Sequence, residues 1–239
     1  MKKVLSLMLA GIALLANQSH SVTFFADNFE AAGAAGATNL GAPWEMNKQV
    51  YTSSGAYING YFPGTTFGPN AIVAGGAGGS AFSGKVYPDY GYGPDWVNGN
   101  KIKVNLLVAQ PNLTSAAIAP GVIQMDFDFK RDAIPGANAK AYAFISLLSA
   151  DWSATYFTHQ IELGTFADWS SGAVKITFDG TQQGLNLQYG FSVVDADYSG
   201  GAGLLVDNVT VSNVPEPSTV SLLGFGVAGL IATRLRRRS

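Results

Sequence analysis

Ile123-Gln124-Met125-Asp126-Phe127-Asp128-Phe129-Lys130 is the stretch that decides the fold. Four large apolar side chains alternate with four polar ones, and a period of two puts all the apolar groups on one face of an extended strand. Leu185, Leu187, Tyr189, Phe191 and Val193 alternate in the same way with Asn186, Gln188, Gly190 and Ser192. Ile102 to Val108, Ala141 to Leu148, Val174 to Phe178 and Leu204 to Val211 are further runs rich in β-branched or aromatic residues. Between them stand turn formers: Ile134-Pro135-Gly136, Phe178-Asp179-Gly180, Asn98-Gly99-Asn100, Asn112-Leu113-Thr114 and the glycine-rich 197–203. No long stretch has a helical period. Many short strands without βαβ alternation predict an all-β fold, an antiparallel β-sandwich of jelly-roll type. The alanine- and glycine-rich pieces 31–42 and 74–84 are expected to be loops.

Composition agrees with one globular body. The 239 residues are 47% hydrophobic and 13% charged, with 14 Phe, 10 Tyr and 4 Trp, enough apolar surface for a sizeable core. The absence of cysteine excludes disulfides, thiolate metal sites and cysteine nucleophiles. The formal charge of −2 hides an asymmetry. Setting aside Lys2, Lys3, Arg234, Arg236, Arg237, Arg238 and Glu216 leaves eight basic residues against fifteen acidic ones. An acidic middle does not suit nucleic acid, which requires clustered Lys and Arg.

Both ends read as export signals. Residues 1–21 combine Lys2 and Lys3, an apolar run from Val4 to Ala16, and small residues at Ser19 and Ser21. That is the pattern of a signal peptide cut by signal peptidase before Val22. The body is then 22–213, and 214–239 forms a third segment: Val214-Pro215-Glu216-Pro217-Ser218, an apolar stretch from Thr219 to Thr233, and an arginine-rich end. The prolines are expected to end the last strand, the apolar stretch to cross the inner membrane as a helix, and the arginines to stay in the cytoplasm. Gly224, Gly226 and Gly229 match a dinucleotide-binding pattern, but no βαβ unit can follow so near the end; they suit the packing face of a membrane helix.

This third segment closely resembles the PEP-CTERM sorting signal of Gram-negative bacteria. The resemblance implies an exosortase as partner, a transient stay in the inner membrane, cleavage near Pro215 to Ser218, and delivery to the cell surface or extracellular matrix. It also implies an association with exopolysaccharide and biofilm. More weakly, 25–30 and 204–212 resemble the first and last strands of galactose-binding-like jelly rolls, the group containing many carbohydrate-binding modules. That resemblance implies adjacent terminal strands and a structural calcium, for which the matching oxygen donors are Asp27, Glu30 and Asp207; otherwise these residues solvate strand edges.

Catalytic constellations are sparse. His159 has no G-x-S-x-G serine to serve, and His20 leaves with the signal peptide. Asp126 and Asp128, about 7 Å apart on one strand face, meet the spacing of a glycosidase pair, yet the same pattern arises on any solvated face. Exposed aromatics suit sugar stacking better. The candidates are Tyr90, Tyr92 and Trp96 in a Pro- and Gly-rich loop, with Trp152, Tyr156 and Trp169 in polar surroundings; the competing reading places such rings in the core. Three functions follow: a non-enzymatic surface protein binding polysaccharide, a secreted glycan-active enzyme, or a self-associating matrix protein.

Overall fold

The computed structural model describes residues 21–37, 40–64, 71–87, 99–110, 121–131, 139–195 and 203–215. The signal peptide, the expected membrane helix and Tyr90, Tyr92 and Trp96 lie outside these residues. Among the described residues, no helix is long and apolar enough to cross a membrane.

Among the described residues, twelve strands form two antiparallel sheets: β1 Val22–Asp27, β2 Trp44–Tyr51, β3 Tyr57–Gly64, β4 Ile72–Ala74, β5 Phe82–Val86, β6 Lys101–Gln110, β7 Gly121–Arg131, β8 Lys140–Leu148, β9 Thr155–Leu163, β10 Ser170–Phe178, β11 Asn186–Asp195 and β12 Leu204–Pro215. One sheet runs β10-β7-β12-β5-β4, with β1 also paired to β12; the other runs β3-β2-β6-β11-β8-β9. The chain is therefore an all-β sandwich, with β1 and β12 side by side from Val22↔Asn213 to Asp27↔Val209.

The core comes from the alternating strands. Ile123, Met125, Phe127 and Phe129 of β7 are buried, facing Leu106, Ala143, Tyr189 and Phe191 of the opposite sheet within one apolar cluster. Phe127 and Phe191 meet edge to face, centroids 5.0 Å apart, and lock the sheets together. In β12 the parity changes: Leu204 and Val206 are buried, then Val209 and Val211. A bulge between Asp207 and Thr210, with Asn208 in the left-handed region (φ 48°), supplies the extra residue that keeps both pairs on the core face.

One expectation needs correction. The 74–84 stretch is not a simple loop: Ile72–Ala74 and Phe82–Val86 pair as β4 and β5 around a short 3-10 turn at Ala77–Gly79. Glycine serves packing there, because a Cβ on Gly84 would stand 2.8 Å from the Phe29 ring. The last strand includes Val214, opposite Val122, and Pro215, opposite Gly121, and so reaches the first of the prolines expected to end it. A proline is tolerated where a strand ends, since few ladder bonds remain to be lost.

Candidate functional site

The three carboxylates expected at the terminal strands act as hydrogen-bond acceptors. Asp27 accepts from the Phe29 N–H at 2.7 Å and from the Trp44 indole Nε1–H at 2.6 Å. Glu30 Oε1 accepts from Ser80 Oγ at 2.8 Å and from the Ala81 and Phe82 N–H groups at 2.7 and 3.1 Å, which hold its pKa below the usual value. Asp207, fully buried, accepts from the Ala77 and Asn208 N–H groups, both at 2.8 Å. Burial nevertheless raises its pKa. Gly76 allows the 75–80 turn to reach Asp207, because a Cβ there would collide with the carboxylate. Asp207 fastens β12, and Glu30 the turn after β1, to the 75–82 segment, while Asp27 ties the end of β1 to Trp44 of β2. Among the described residues, no group of three or more His, Asp or Glu is arranged to hold a metal ion.

Asp126 and Asp128 lie on the outer face of the β7 sheet. Asp126 accepts from Gln124 Nε2 at 2.5 Å, while Asp128 accepts from Ser171 Oγ at 2.6 Å and Asn208 Nδ2 at 2.9 Å. Three of their four oxygens accept from neighbouring side chains.

Of the six expected aromatics, Trp152, Tyr156 and Trp169 are among the described residues, and these three do not line one cleft. Trp152 sits in the β8–β9 turn with φ 64°, and Trp169 is half-buried just before β10. Tyr156, 68% exposed on edge strand β9, lines a cleft of about 860 Å³ with Phe157, His159, Lys175, Thr181 and Gln182. Neither tryptophan reaches that cleft.

A second surface, which the sequence reading passed over, is the outer face of the β3-β2-β6-β11-β8-β9 sheet. The register aligns Asn47, Asn105, Ser192, Tyr142 and Glu162 in one row across five strands. Flanking rows bring Gln49, Lys103 and Val194 to one side and Leu107, Gly190, Phe144 and Gln160 to the other. An outward face of an antiparallel sheet is ordinarily solvated. Here its middle is shielded: Asn105 is 5% and Ser192 1% exposed. Even so, among the described residues Asn105 Oδ1 and Ser192 Oγ have no hydrogen-bond partner. Such atoms cost roughly 1–3 kcal/mol each when left unpaired, so adjacent orphans on one outward face point to a polar ligand. At the β2–β3 side, Tyr51 and Tyr57 pack edge to face with centroids 5.8 Å apart, and the Tyr51 hydroxyl donates to Gln49 Oε1 at 2.9 Å. Burial first, then the neighbouring Tyr57, raises the Tyr51 pKa, keeping it a neutral donor at neutral pH. Tyr57 is 61% exposed and presents an open ring.

The body is thus a β-sandwich with one sheet face carrying orphaned acceptors between aromatic rings. Residues 213–238 match the PEP-CTERM protein-sorting motif. No curated protein matches the chain in sequence. Among solved structures, it is similar to the xylan-binding domain CBM22-1 of Paenibacillus barcinonensis Xyn10C (12% identity, TM-score 0.40, covering 82% of this chain and 96% of that one). It is also similar to the Stig cyclase Fisc of Fischerella sp. TAU (14% identity, TM-score 0.48, covering 82% and 99%). A third likeness is to the enzymatically active domain of bacteriophage CBA120 tailspike protein 4 (14% identity, TM-score 0.41). That match covers 72% of this chain but only 19% of the tailspike chain.

Proposed function

We propose that this is an exported, non-enzymatic surface or matrix protein that binds polysaccharide on the outer face of the β2-β6-β11-β8 sheet. The observation that carries the reading is the pair Asn105 Oδ1 and Ser192 Oγ, shielded from water, without partners, and directly opposite each other in register. A sugar supplies what these atoms lack, since its hydroxyls donate as well as accept while its apolar ring faces stack on Tyr57 and Tyr142. Amides at Asn47, Gln49 and Gln188 extend the same chemistry along the face. Binding without cleavage suits Asp126 and Asp128, three of whose four oxygens are engaged by Gln124, Ser171 and Asn208 on the other sheet.

Affinity electrophoresis of the full-length chain through gels containing individual polysaccharides tests binding, and reducing-end release from the same polysaccharides tests catalysis. Retardation without release is expected. Release would favour the enzyme reading, and concentration-dependent assembly without retardation the matrix reading.

The PEP-CTERM match supports the processing half of the proposal: an exosortase removes the tail near Pro215 to Ser218 after a transient stay in the inner membrane. The intact mass of the surface form is expected to lack Arg234 to Arg238. A surface form that retains them refutes the processing.

A further inference from the structure

One lysine on the outer sheet face is held partly away from water. Lys103 alternates with Ile102 and Val104 and lies on the outer face beside Asn105, with Gln49 and Val194 as its cross-strand neighbours. It is half-buried, and desolvation lowers its pKa with no carboxylate to offset the effect. Among the described residues it has no ion pair or hydrogen bond. Arg131, also buried, shows how this protein ordinarily accommodates such a cation: it donates to the carbonyls of Leu163 at 3.0 Å and Ala139 at 2.9 Å. Lys103 has neither arrangement, and lysine stems normally carry their ammonium out to water.

Among the described residues, the charges around it do not supply a partner. On this face stand Lys101, Lys140, Glu45 and Glu162, and the last and Lys140 bind each other at 3.0 Å. Glu45 is opposite Leu107, four residues along β6 from Lys103, or about 13 Å at 3.3 Å per residue. Lys101 and Lys103 therefore leave a local cationic surplus next to two orphaned oxygen groups.

A small inorganic anion would satisfy the ammonium but not Asn105 Oδ1, which only accepts. A neutral sugar would satisfy Asn105 and Ser192 but leave the ammonium without a counter-charge. One ligand class meets all three demands. We infer that the outer face takes an acidic, carboxylate-bearing glycan, with Lys103 holding the carboxylate while Asn105 and Ser192 bind its hydroxyls. This rests on the reading of that face as a glycan-binding surface. Eight basic against fifteen acidic residues in the body make its long-range field unfavourable to polyanions, so the attraction has to be local.

The test uses the full-length chain in mild detergent at 0.15 M salt with polygalacturonate, alginate and hyaluronan, each beside its carboxyl-reduced form. At least one acidic glycan is expected to bind tenfold or more tightly than its reduced counterpart. Lys103→Met is expected to erase that ratio while still binding the reduced form. Its unfolding midpoint should be unchanged or higher, because an unpaired, half-buried charge is replaced by an apolar side chain of similar length. Lys130→Met, on the outer face of the other sheet, should keep the ratio. Equal affinity for acidic and reduced forms in the wild type overturns the inference and leaves the glycan site standing. A ratio that persists in Lys103→Met also overturns it. Failure to bind any of these glycans in either form overturns both.

Discussion

Replacing Asp207 by Ala removes the acceptor that joins β12 to the 75–82 turn. Two hydrogen bonds to a charged group are lost, from the Ala77 and Asn208 N–H groups at 2.8 Å each. Bonds of that kind contribute about 1.5–3 kcal/mol apiece. The Ala77 N–H then stays buried without a partner, because Ala77 itself is 5% exposed. Relief from burying the carboxylate offsets part of the loss; burial is the leading cause of its raised pKa. The balance is a destabilisation of about 3 kcal/mol, or roughly 6–12 °C in Tm at 2–4 °C per kcal/mol for a domain of this size. Urea unfolding of the full-length chain in detergent, followed by tryptophan fluorescence, measures it. Asp207→Asn retains one acceptor oxygen and should fall between wild type and Ala. The pH dependence has a definite sign. A folded-state pKa above the unfolded value means that the native state binds the proton more readily, so the Asp207 contribution rises as pH falls from neutral through the folded pKa. Asp207→Asn should lack that component. A loss below about 0.5 kcal/mol in Asp207→Ala would refute the reasoning. So would a calcium-induced rise in the wild-type Tm that disappears in Asp207→Ala, which would make the residue a cation ligand; melting with EDTA and with millimolar calcium is expected to superimpose.

Two further outcomes follow from local geometry. Asp151, in the β8–β9 turn, accepts from Ser149 Oγ at 2.5 Å and from Ser153 Oγ and N–H at 2.8 and 3.1 Å, which lowers its pKa to about 2. Carboxyl-carbon NMR titration should place it there, with its contribution to stability present above the ordinary aspartate pKa and lost as pH falls through about 2; a midpoint near 4 would show that the turn bonds do not form. Gly84→Ala should destabilise by about 1–3 kcal/mol in urea unfolding, because the new Cβ meets a Phe29 ring already stacked on Trp44 with centroids 5.5 Å apart; unchanged stability would mean that the ring moves freely.

The architecture was legible wherever one strand face is wet and the other dry. Ile123 to Lys130 has that pattern because β7 lies inside its sheet with one face on the core, whereas Leu187 to Val193 alternates in residue type while Ser192 on its outer face is also buried. Trp44–Tyr51 was hidden by Lys48, a fully buried lysine on the core face opposite Val104, where alternation calls for an apolar residue. Thr155–Leu163 was hidden for the opposite reason. As an edge strand it leaves Thr155 to Gln160 exposed on both faces, so no two-residue period survives. In 72–86 the glycines that accommodate Phe29 and Asp207 also masked β4 and β5. The sorting motif was fully legible, since it is contiguous in sequence. The outer-face site was not, because Asn105 and Ser192 become neighbours only through the β6–β11 register. The available signal was the polar half of each alternation, Lys103 and Asn105 with Gln188 and Ser192.

Isothermal titration of the full-length chain with fragments of a polysaccharide that retards it most directly tests whether the outer sheet face is the binding surface. Tyr57→Ala removes an exposed ring from that face, and Tyr156→Ala removes one from the edge cleft. Because both are surface positions, their folds should hold. The account predicts that Tyr57→Ala weakens binding about tenfold, the loss of one stacking contact of about 1.4 kcal/mol, and that Tyr156→Ala leaves the affinity unchanged. Unchanged affinity in Tyr57→Ala together with lost binding in Tyr156→Ala would move the site to the β9 edge and contradict the account.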